Sequence, residues 1–173
     1  RLEAVARQLV LSGHEVEILT TMPSYPSGVV RDGYRRKFVS SEHHDDIRIR
    51  RIWSYPAQGR GVKRLVGYVS FALFSTILLL RTKRADFIVI ESPPLFLAPP
   101  GLLWARLTRS RSILNVADLW PDAAVDVGAV SDGLMLSCAR GLERWAYRKS
   151  TYVSSVTRGI RSAVVERGVP EPR

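Results

Sequence analysis

The sequence predicts an α/β protein with a Rossmann-like, doubly wound parallel sheet. Two observations lead to this class. Short β-branched segments alternate with amphipathic helical segments along the whole chain, and polar or proline-containing turns follow the buried strands. A length of 173 residues with 46% apolar residues is enough for one such domain with its own core. We therefore expect residues 1–173 to form a single domain.

The first half of the chain is predicted to begin with a helix. Apolar residues recur there at helical spacing, and Gly13 is expected to end the helix in a left-handed conformation. Because a helix leads the pattern, we expect the first strand of the domain and its ligand-binding loop to be missing before Arg1. The predicted elements are a helix over 1–11, a strand over 15–20, a loop over 21–46, a strand over 47–53 and a helix over 61–80.

The second half continues the alternation of strands and helices. Pro99 and Pro100 are expected to interrupt one of these helices early, since proline cannot donate a backbone hydrogen bond. The predicted elements are a strand over 86–91, a helix over 95–107, a strand over 112–117, a helix over 132–149, a strand over 151–155 and a helix over 157–167.

The positive charge of the chain is concentrated in one segment. The net charge is +10, and residues 31–84 alone contain 13 basic and 4 acidic residues. A local charge of this size favours an anionic partner, which could be phospholipid head groups, a pyrophosphate or nucleic acid. The alternative is a solvated basic face that maintains solubility.

A long apolar helix lies inside this basic segment. Residues 65–80 carry no charge and would form roughly 24 Å of helix, which is shorter than a bilayer core. Cationic ends around an apolar body suit a helix that lies in the head-group layer, with Tyr68, Phe71 and Phe74 near lipid. The alternative is a crossover helix buried against the sheet, and the two are compatible. The cations predicted to contact the membrane or phosphates are Arg60, Lys63, Arg64, Arg81, Lys83 and Arg84.

A first candidate site segment follows the strand predicted at 86–91. Glu91 could act as a base or bind a hydroxyl group, and Ser92 could cap the next helix so that its free N–H groups face an anion. Pro93 and Pro94 stop the strand. The alternative is a simple strand-to-helix turn.

A second candidate segment follows the strand predicted at 112–117. Asp118 would lie at the carboxyl edge of the sheet, where a carboxylate can orient or deprotonate an acceptor hydroxyl. Trp120 offers a flat face for stacking on a sugar ring, and Pro121 stiffens the turn. The alternative for Asp118, and for Asp122, is a helix-capping role.

Several other site types are not indicated by the sequence. There is no phosphate-binding G-x-x-x-x-G-K-[ST] loop, no G-x-G-x-x-G, no zinc-ligand spacing and no nucleophile elbow. A single cysteine, Cys138, cannot form an internal disulfide. No apolar run is long enough for a simple transmembrane span.

An ordered set of motifs resembles family 4 glycosyltransferases of the colanic-acid and O-antigen fucosamine-transferase type. The resemblance covers essentially all 173 residues. The motifs are GHEVEILTTMPSYPSG at 13–28, GYR at 33–35, ESPPLF at 91–96, DLWPD at 118–122, ERWAYR at 143–148 and RGVP at 167–170.

The resemblance implies the N-terminal half of a GT-B fold, truncated at both ends. In that family the N-terminal domain holds the acceptor, often a sugar on a polyprenyl diphosphate, and a C-terminal domain binds the nucleotide-sugar donor without a metal or other cofactor. It implies an enzyme of polysaccharide synthesis. Together with the basic segment and the apolar helix at 65–80, it leads us to expect a cytoplasmic protein that is peripheral at the inner face of the plasma membrane. The donor domain would follow Arg173, and the isolated chain is expected to be inactive.

The resemblance also implies roles for individual residues. Asp118 matches the acceptor-side carboxylate position and is the expected catalytic residue, as a base or as an orienting group. Some relatives have His before this Asp, whereas this chain has Ala117. The expected acceptor-binding residues are Tyr25, Glu91, Ser92 and Trp120.

Two other classes are compatible with parts of the pattern. A basic module that binds nucleic acid or membranes without catalysis would explain the charge, but a nucleic-acid recognition helix or aromatic sheet motif is missing. A nicotinamide-dependent oxidoreductase shares the sheet topology, but Thr20 and Thr21 stand where its acidic ribose-binding residue is expected. We therefore expect no nucleic-acid partner.

Overall fold

A computed structural model describes residues 2–24, 27–56, 62–121 and 133–170. The described helices are α1 (Leu2–Leu11), α2 (Val62–Leu79), α3 (Ala98–Thr108), α4 (Leu134–Lys149) and α5 (Arg158–Glu166), with a 3₁₀ turn at Leu95–Leu97 before α3. The described strands are β1 (Glu17–Thr21), β2 (Val39–His44), β3 (Ile47–Ile52), β4 (Phe87–Ser92), β5 (Arg111–Val116) and β6 (Tyr152–Ser155).

The first sheet has the strand order β1-β3-β2. β1 runs parallel to β3, whereas β2 runs antiparallel to it. β2 corrects the prediction of a loop over 21–46. Val39 is its sole apolar residue, so no alternating apolar pattern marks the strand. Its pairing is supported instead by an ion pair with β3, in which Arg51 Nε lies 2.6 Å from Glu42 Oε1.

The second sheet has the strand order β4-β5-β6 and is wholly parallel. Its register pairs Glu91 with Asn115 and Ser92 with Val116. The alternation of these strands with α3, α4 and α5 confirms the predicted Rossmann-like α/β class. The difference from the prediction is that the described strands form two three-stranded sheets, one of them mixed, instead of one parallel sheet.

The main core lies between the second sheet and its helices. Its most buried members are Leu95, Ala98, Leu114, Val116 and Ala146. α3 approaches β4 closely at Gly101, because a Cβ atom added there would lie 2.7 Å from Ile90 Cδ1. Pro99 and Pro100 occupy the first turn of α3, where backbone N–H groups have no partner within the helix. These prolines therefore begin the helix and do not break it.

The helix predicted over 61–80 is confirmed as α2, which packs against β1, β3 and α3. Arg50 is 7% exposed and anchors the end of this helix. Its Nη1 donates to the Arg81 carbonyl oxygen at 3.0 Å and pairs with Glu17 Oε1 at 3.3 Å. Because Glu17 begins β1, α2 ends at the amino edge of the first sheet. None of the described helices combines the length and apolarity that a membrane span requires.

Candidate functional site

The turns after β4 and β5 lie side by side at the carboxyl edge of the second sheet. Ser92 ends β4, and its carbonyl oxygen accepts a 2.8 Å hydrogen bond from the Ala117 N–H, one residue beyond the end of β5. Ligands of open α/β sheets bind at this edge, outside the carboxyl ends of the strands. The two candidate segments of the sequence are therefore brought together.

Asp118 is exposed at this edge. Its Oδ1 accepts a 2.9 Å hydrogen bond from the Leu119 N–H, and its carbonyl oxygen accepts one from the Trp120 N–H at 3.1 Å. These bonds fix a short turn immediately after the strand. The carboxylate is thereby held at the surface, where it can accept a proton or a hydrogen bond from a hydroxyl group.

Glu91 is half-buried and lies opposite Asn115 in the sheet register. The Nδ2 group of Asn115 donates a 2.6 Å hydrogen bond to Glu91 Oε2. Both side chains lie on the sheet face opposite the core, because the residues on either side of them in β4 and β5 are buried. Asn115 was not among the predicted site residues, although its place at the end of a strand was a usable signal.

Ser92 and Trp120 do not have the environments that the sequence suggested. Ser92 is 3% exposed and precedes a 3₁₀ turn that has no side-chain cap, so its predicted capping role is wrong. Trp120 is 6% exposed, and its ring packs edge-on against Phe96 with 5.2 Å between centroids. The ring is part of the core, which corrects the expectation of an open face for stacking.

The end of β6 completes the same edge. Ser155 is paired with Val116, and Thr157 follows as the N-cap of α5. The Thr157 hydroxyl oxygen accepts a 3.2 Å hydrogen bond from the Ile160 N–H. The sequence predicted a helix beginning at 157 but did not assign this end to the site. The N-terminus of α5 adds polar backbone groups close to the strand ends.

Two predicted site residues, Tyr25 and Arg60, lie outside the described residues, as does Asp122. Of the other predicted cations, Lys63 and Arg64 lie in the first turn of α2. Arg64 Nε donates to the Tyr68 hydroxyl oxygen at 2.6 Å. The others are exposed in the segment between α2 and β4: Arg81, Lys83 and Arg84.

The face of α2 that carries Phe74 is not turned toward solvent. The Phe74 ring lies 5.2 Å from the Phe38 ring and 5.7 Å from the Trp53 ring. Tyr68 and Phe71 are half-buried. Phe74 therefore packs against protein side chains, whereas the lipid contact of Tyr68 and Phe71 stays a prediction. The exposed stripe of α2 instead contains Val66, Val69, Leu73 and Thr76 and continues to Leu80.

A polar cluster ties the loop before β2 to the first sheet. The Tyr34 hydroxyl donates to Glu42, and Arg51 donates from Nη1 to the Thr21 carbonyl oxygen at 3.2 Å. The hydrogen bond from Tyr34 lowers the pKa of the Glu42 carboxyl, and Arg51 lowers it further against the opposing effect of burial. The same hydrogen bond raises the pKa of Tyr34.

No metal centre is apparent among the described residues, in which no three His, Cys, Asp or Glu side chains lie close enough to hold an ion. The groups described at the carboxyl edge are carboxylates, amides, hydroxyls and backbone groups, in a chain of net charge +10. An exposed carboxylate there can serve a polar, hydroxyl-bearing ligand, and the basic segment can serve an anionic one.

Comparisons with known proteins agree on one family. The model of the glycosyl transferase 4-like domain family matches residues 1–173. A protein of Escherichia coli (strain K12), named as the colanic acid biosynthesis glycosyl transferase WcaI, is 30% identical over 166 residues. The matched region is 93% of this chain and 41% of that protein. The chain thus spans about two fifths of the length of the relative that it matches.

Proposed function

The chain belongs to the glycosyl transferase 4-like family, and from this membership we propose that it is the acceptor-binding domain of a glycosyltransferase. The enzyme moves a sugar from a nucleotide-sugar to a saccharide carried on a polyprenyl diphosphate, during synthesis of a surface polysaccharide. The likeness to a colanic acid biosynthesis protein supports this process. A second domain binds most of the donor, and no metal or other cofactor takes part.

The observation that carries the proposal is the exposed carboxylate of Asp118 beside the end of β4. An acceptor hydroxyl at this edge can donate to Asp118 and lose its proton to it. The acceptor oxygen then bonds to the anomeric carbon of the donor, and the bond from that carbon to the diphosphate oxygen breaks. The nucleoside diphosphate leaves with the electron pair, and the proton stays on Asp118.

Glu91 is proposed to bind hydroxyl groups of the acceptor. Its carboxylate lies near the end of β4, at the same sheet edge as Asp118. It accepts a 2.6 Å hydrogen bond from Asn115, which favours one orientation. A carboxylate held in one orientation can accept hydrogen bonds from neighbouring sugar hydroxyls at little further cost in side-chain entropy. Tyr25 remains a proposed acceptor contact on the strength of its motif alone.

The decisive experiment measures transfer by the full-length protein from labelled nucleotide-sugars to a polyprenyl-diphosphate-linked acceptor in vesicles. Asp118→Asn should lower kcat by about 10² to 10⁴ if the carboxylate removes the proton. A loss of about ten-fold would indicate an orienting role. Asp86→Asn is the matched control, because Asp86 is also exposed but lies just before β4 at the opposite edge.

The proposal is contradicted if the full-length protein transfers no sugar to a lipid-linked acceptor from any donor in a representative panel. It is also contradicted for Asp118 if both variants retain the same activity. Transfer by the isolated chain would contradict the assignment of donor binding to a second domain.

A further strand is proposed to pair between β1 and β4. Each of these strands has one partner among the described residues, so each leaves one edge open. The apolar face of α1 is also uncovered, since Leu2 is 47% and Val5 is 54% exposed. A parallel strand preceding α1 would pair with both edges and cover this face. Amide hydrogen exchange in the full-length protein should then show protected outer edges of β1 and β4, and rapid exchange there would contradict the strand.

The protein is proposed to work as a peripheral protein at the cytoplasmic face of the plasma membrane. The support for this location is the cluster of exposed cations at both ends of α2, which matches anionic phospholipid head groups. Arg60 remains a member of this proposed cation set by its sequence position.

A further inference from the structure

We propose that the groove between α2 and α3 is the surface that docks the protein on an anionic bilayer. This groove, called here the leucine groove, has a volume of about 440 Å³. Its principal lining residues are Val69, Leu73, Leu80, Leu103, Trp104 and Leu107. These side chains insert among the acyl chains of the leaflet that faces the protein, and cations at the helix ends bind the lipid phosphates.

The leucine groove carries large side chains that are unusually exposed. Leu73, Leu80 and Leu107 are 66–67% exposed, and Leu103 is 57% exposed. Single exposed leucines are ordinary on protein surfaces, but these four surround one depression on two neighbouring helices. Moving such a contiguous apolar surface out of water is favourable in proportion to its area.

The charges around the leucine groove select the partner. Neither α2 nor α3 contains an acidic residue. Lys63 and Arg64 begin α2, and further basic residues lie where the two helices end. These are Arg81, Lys83 and Arg84 after α2, and Arg106 and Arg109 at the end of α3. An apolar body with cationic ends is the arrangement of a helix at an anionic lipid surface.

Other exposed apolar areas lack this charge pattern. α1 contains an acidic residue, Glu3, which pairs with Arg7. The open face of the second sheet contains Phe87 and Val89 but leads to Glu91. Among the described helices, only the two that form the leucine groove contain basic residues and no acidic ones.

The leucine groove begins close to the candidate site. Phe96 lines the groove and also packs against Trp120, two residues after Asp118. A bilayer docked in the groove would present the head group of an embedded lipid near the carboxyl edge. This last step rests on the proposed function, whereas the docking does not depend on sugar transfer.

The test is co-sedimentation of the full-length protein with vesicles of phosphatidylcholine, alone or mixed with phosphatidylglycerol. The double variant Leu103→Glu with Leu107→Glu should bind the mixed vesicles about ten-fold or more weakly than the wild type. The matched control is Leu11→Glu with Leu134→Glu, which adds the same charge at leucines that are 81% and 83% exposed on other helices. The control should bind like the wild type, and circular dichroism should show both variants folded.

Three results would overturn the proposal. The first is vesicle binding that is weakened equally in both double variants, which would show that the effect depends on net charge and not on the groove. The second is vesicle binding by the groove variant that equals that of the wild type. This result would indicate that the groove contacts another domain or a second copy of the chain instead of lipid. The third is stronger retention on duplex DNA than on mixed vesicles at the same salt concentration. If the wild-type protein transfers no sugar to a detergent-solubilised acceptor but still binds vesicles, the proposed function is contradicted and the proposed docking surface is retained.

Discussion

Arg167 donates a 2.5 Å hydrogen bond from Nη1 to Glu143 Oε1, and this pair joins the segment after α5 to the middle of α4. The Glu143 side chain is 3% exposed and also accepts a 2.9 Å hydrogen bond from the Tyr147 hydroxyl. Burial, together with the nearby Glu143 carboxylate, raises the pKa of Tyr147. The motifs at 143–148 and 167–170, which are separate in sequence, thus form one polar cluster beside the core.

Replacing Arg167 with alanine should destabilise the domain. The change removes the 2.5 Å cationic contact of a carboxylate that is 3% exposed, and we expect a loss of about 2 kcal/mol because Arg167 is itself partly exposed. Urea unfolding followed by circular dichroism measures the effect. Arg158→Ala, on the exposed first turn of α5, serves as the control and should change stability little. Equal effects of the two changes would argue against the pair.

Glu42 should make stability depend on acid pH. Its folded-state pKa lies below the usual 4.5, mainly because of the hydrogen bond from Tyr34. The unfolded state therefore binds the proton first, so the contribution of Glu42 is present above about pH 4.5 and is lost as pH falls through the folded pKa. Glu42→Gln should flatten this part of the pH profile of thermal unfolding. An unchanged slope in the variant would rule out this linkage.

Asn115→Leu should weaken acceptor binding with little effect on the chemical step. The variant removes the 2.6 Å hydrogen bond from Asn115 to Glu91, so the acceptor KM should rise about ten-fold while kcat stays close to the wild-type value. Ser154→Ala, at the neighbouring register position on β6, is the control. Steady-state transfer assays separate the two constants. A fall in kcat with an unchanged KM would place Asn115 in the chemical step instead.

Gly101→Ala should destabilise the packing of α3 on β4. The new Cβ would lie 2.7 Å from Ile90 Cδ1, and overpacking costs about 1–3 kcal/mol, against about 1 kcal/mol gained in helix propensity. Ile90→Ala removes both Cδ1 and Cγ1, which would lie 2.7 and 2.8 Å from the new atom, so the double variant should lose less stability than the sum of the two single changes. A double-mutant cycle by thermal unfolding measures this coupling. Additive effects would mean that the side chains do not meet.

Local sequence signals were sufficient for most of the fold. The sixteen uncharged residues at 65–80 lie within one helix apart from the final leucine, and Gly13 adopts a positive φ of 84° just after α1. Both features depend on neighbouring residues and are therefore visible in the sequence. β2 is different, because its stability comes from the ladder with β3 and from the contact of Glu42 with Arg51. Such a strand has no local apolar period.

The candidate site was predictable only in part for the same reason. The position of Asp118 follows from the end of a strand, which is a local signal. The environment of Trp120 depends on Phe96, and that of Glu91 depends on Asn115. These pairs are separated by more than twenty residues, so the sequence alone could not distinguish a buried tryptophan from an exposed one or reveal that Asn115 orients Glu91.

The division of the strands into two sheets has a consequence for how the chain folds during synthesis. The described strands of the first sheet lie within 17–52, and those of the second lie within 87–155. Strands that pair with near neighbours in sequence close short loops, and N-terminal segments leave the ribosome first. The first sheet can therefore assemble before β4 has been translated. α2 then becomes the element on which the later half docks, and Arg50 would hold the end of α2 while that half is still being made.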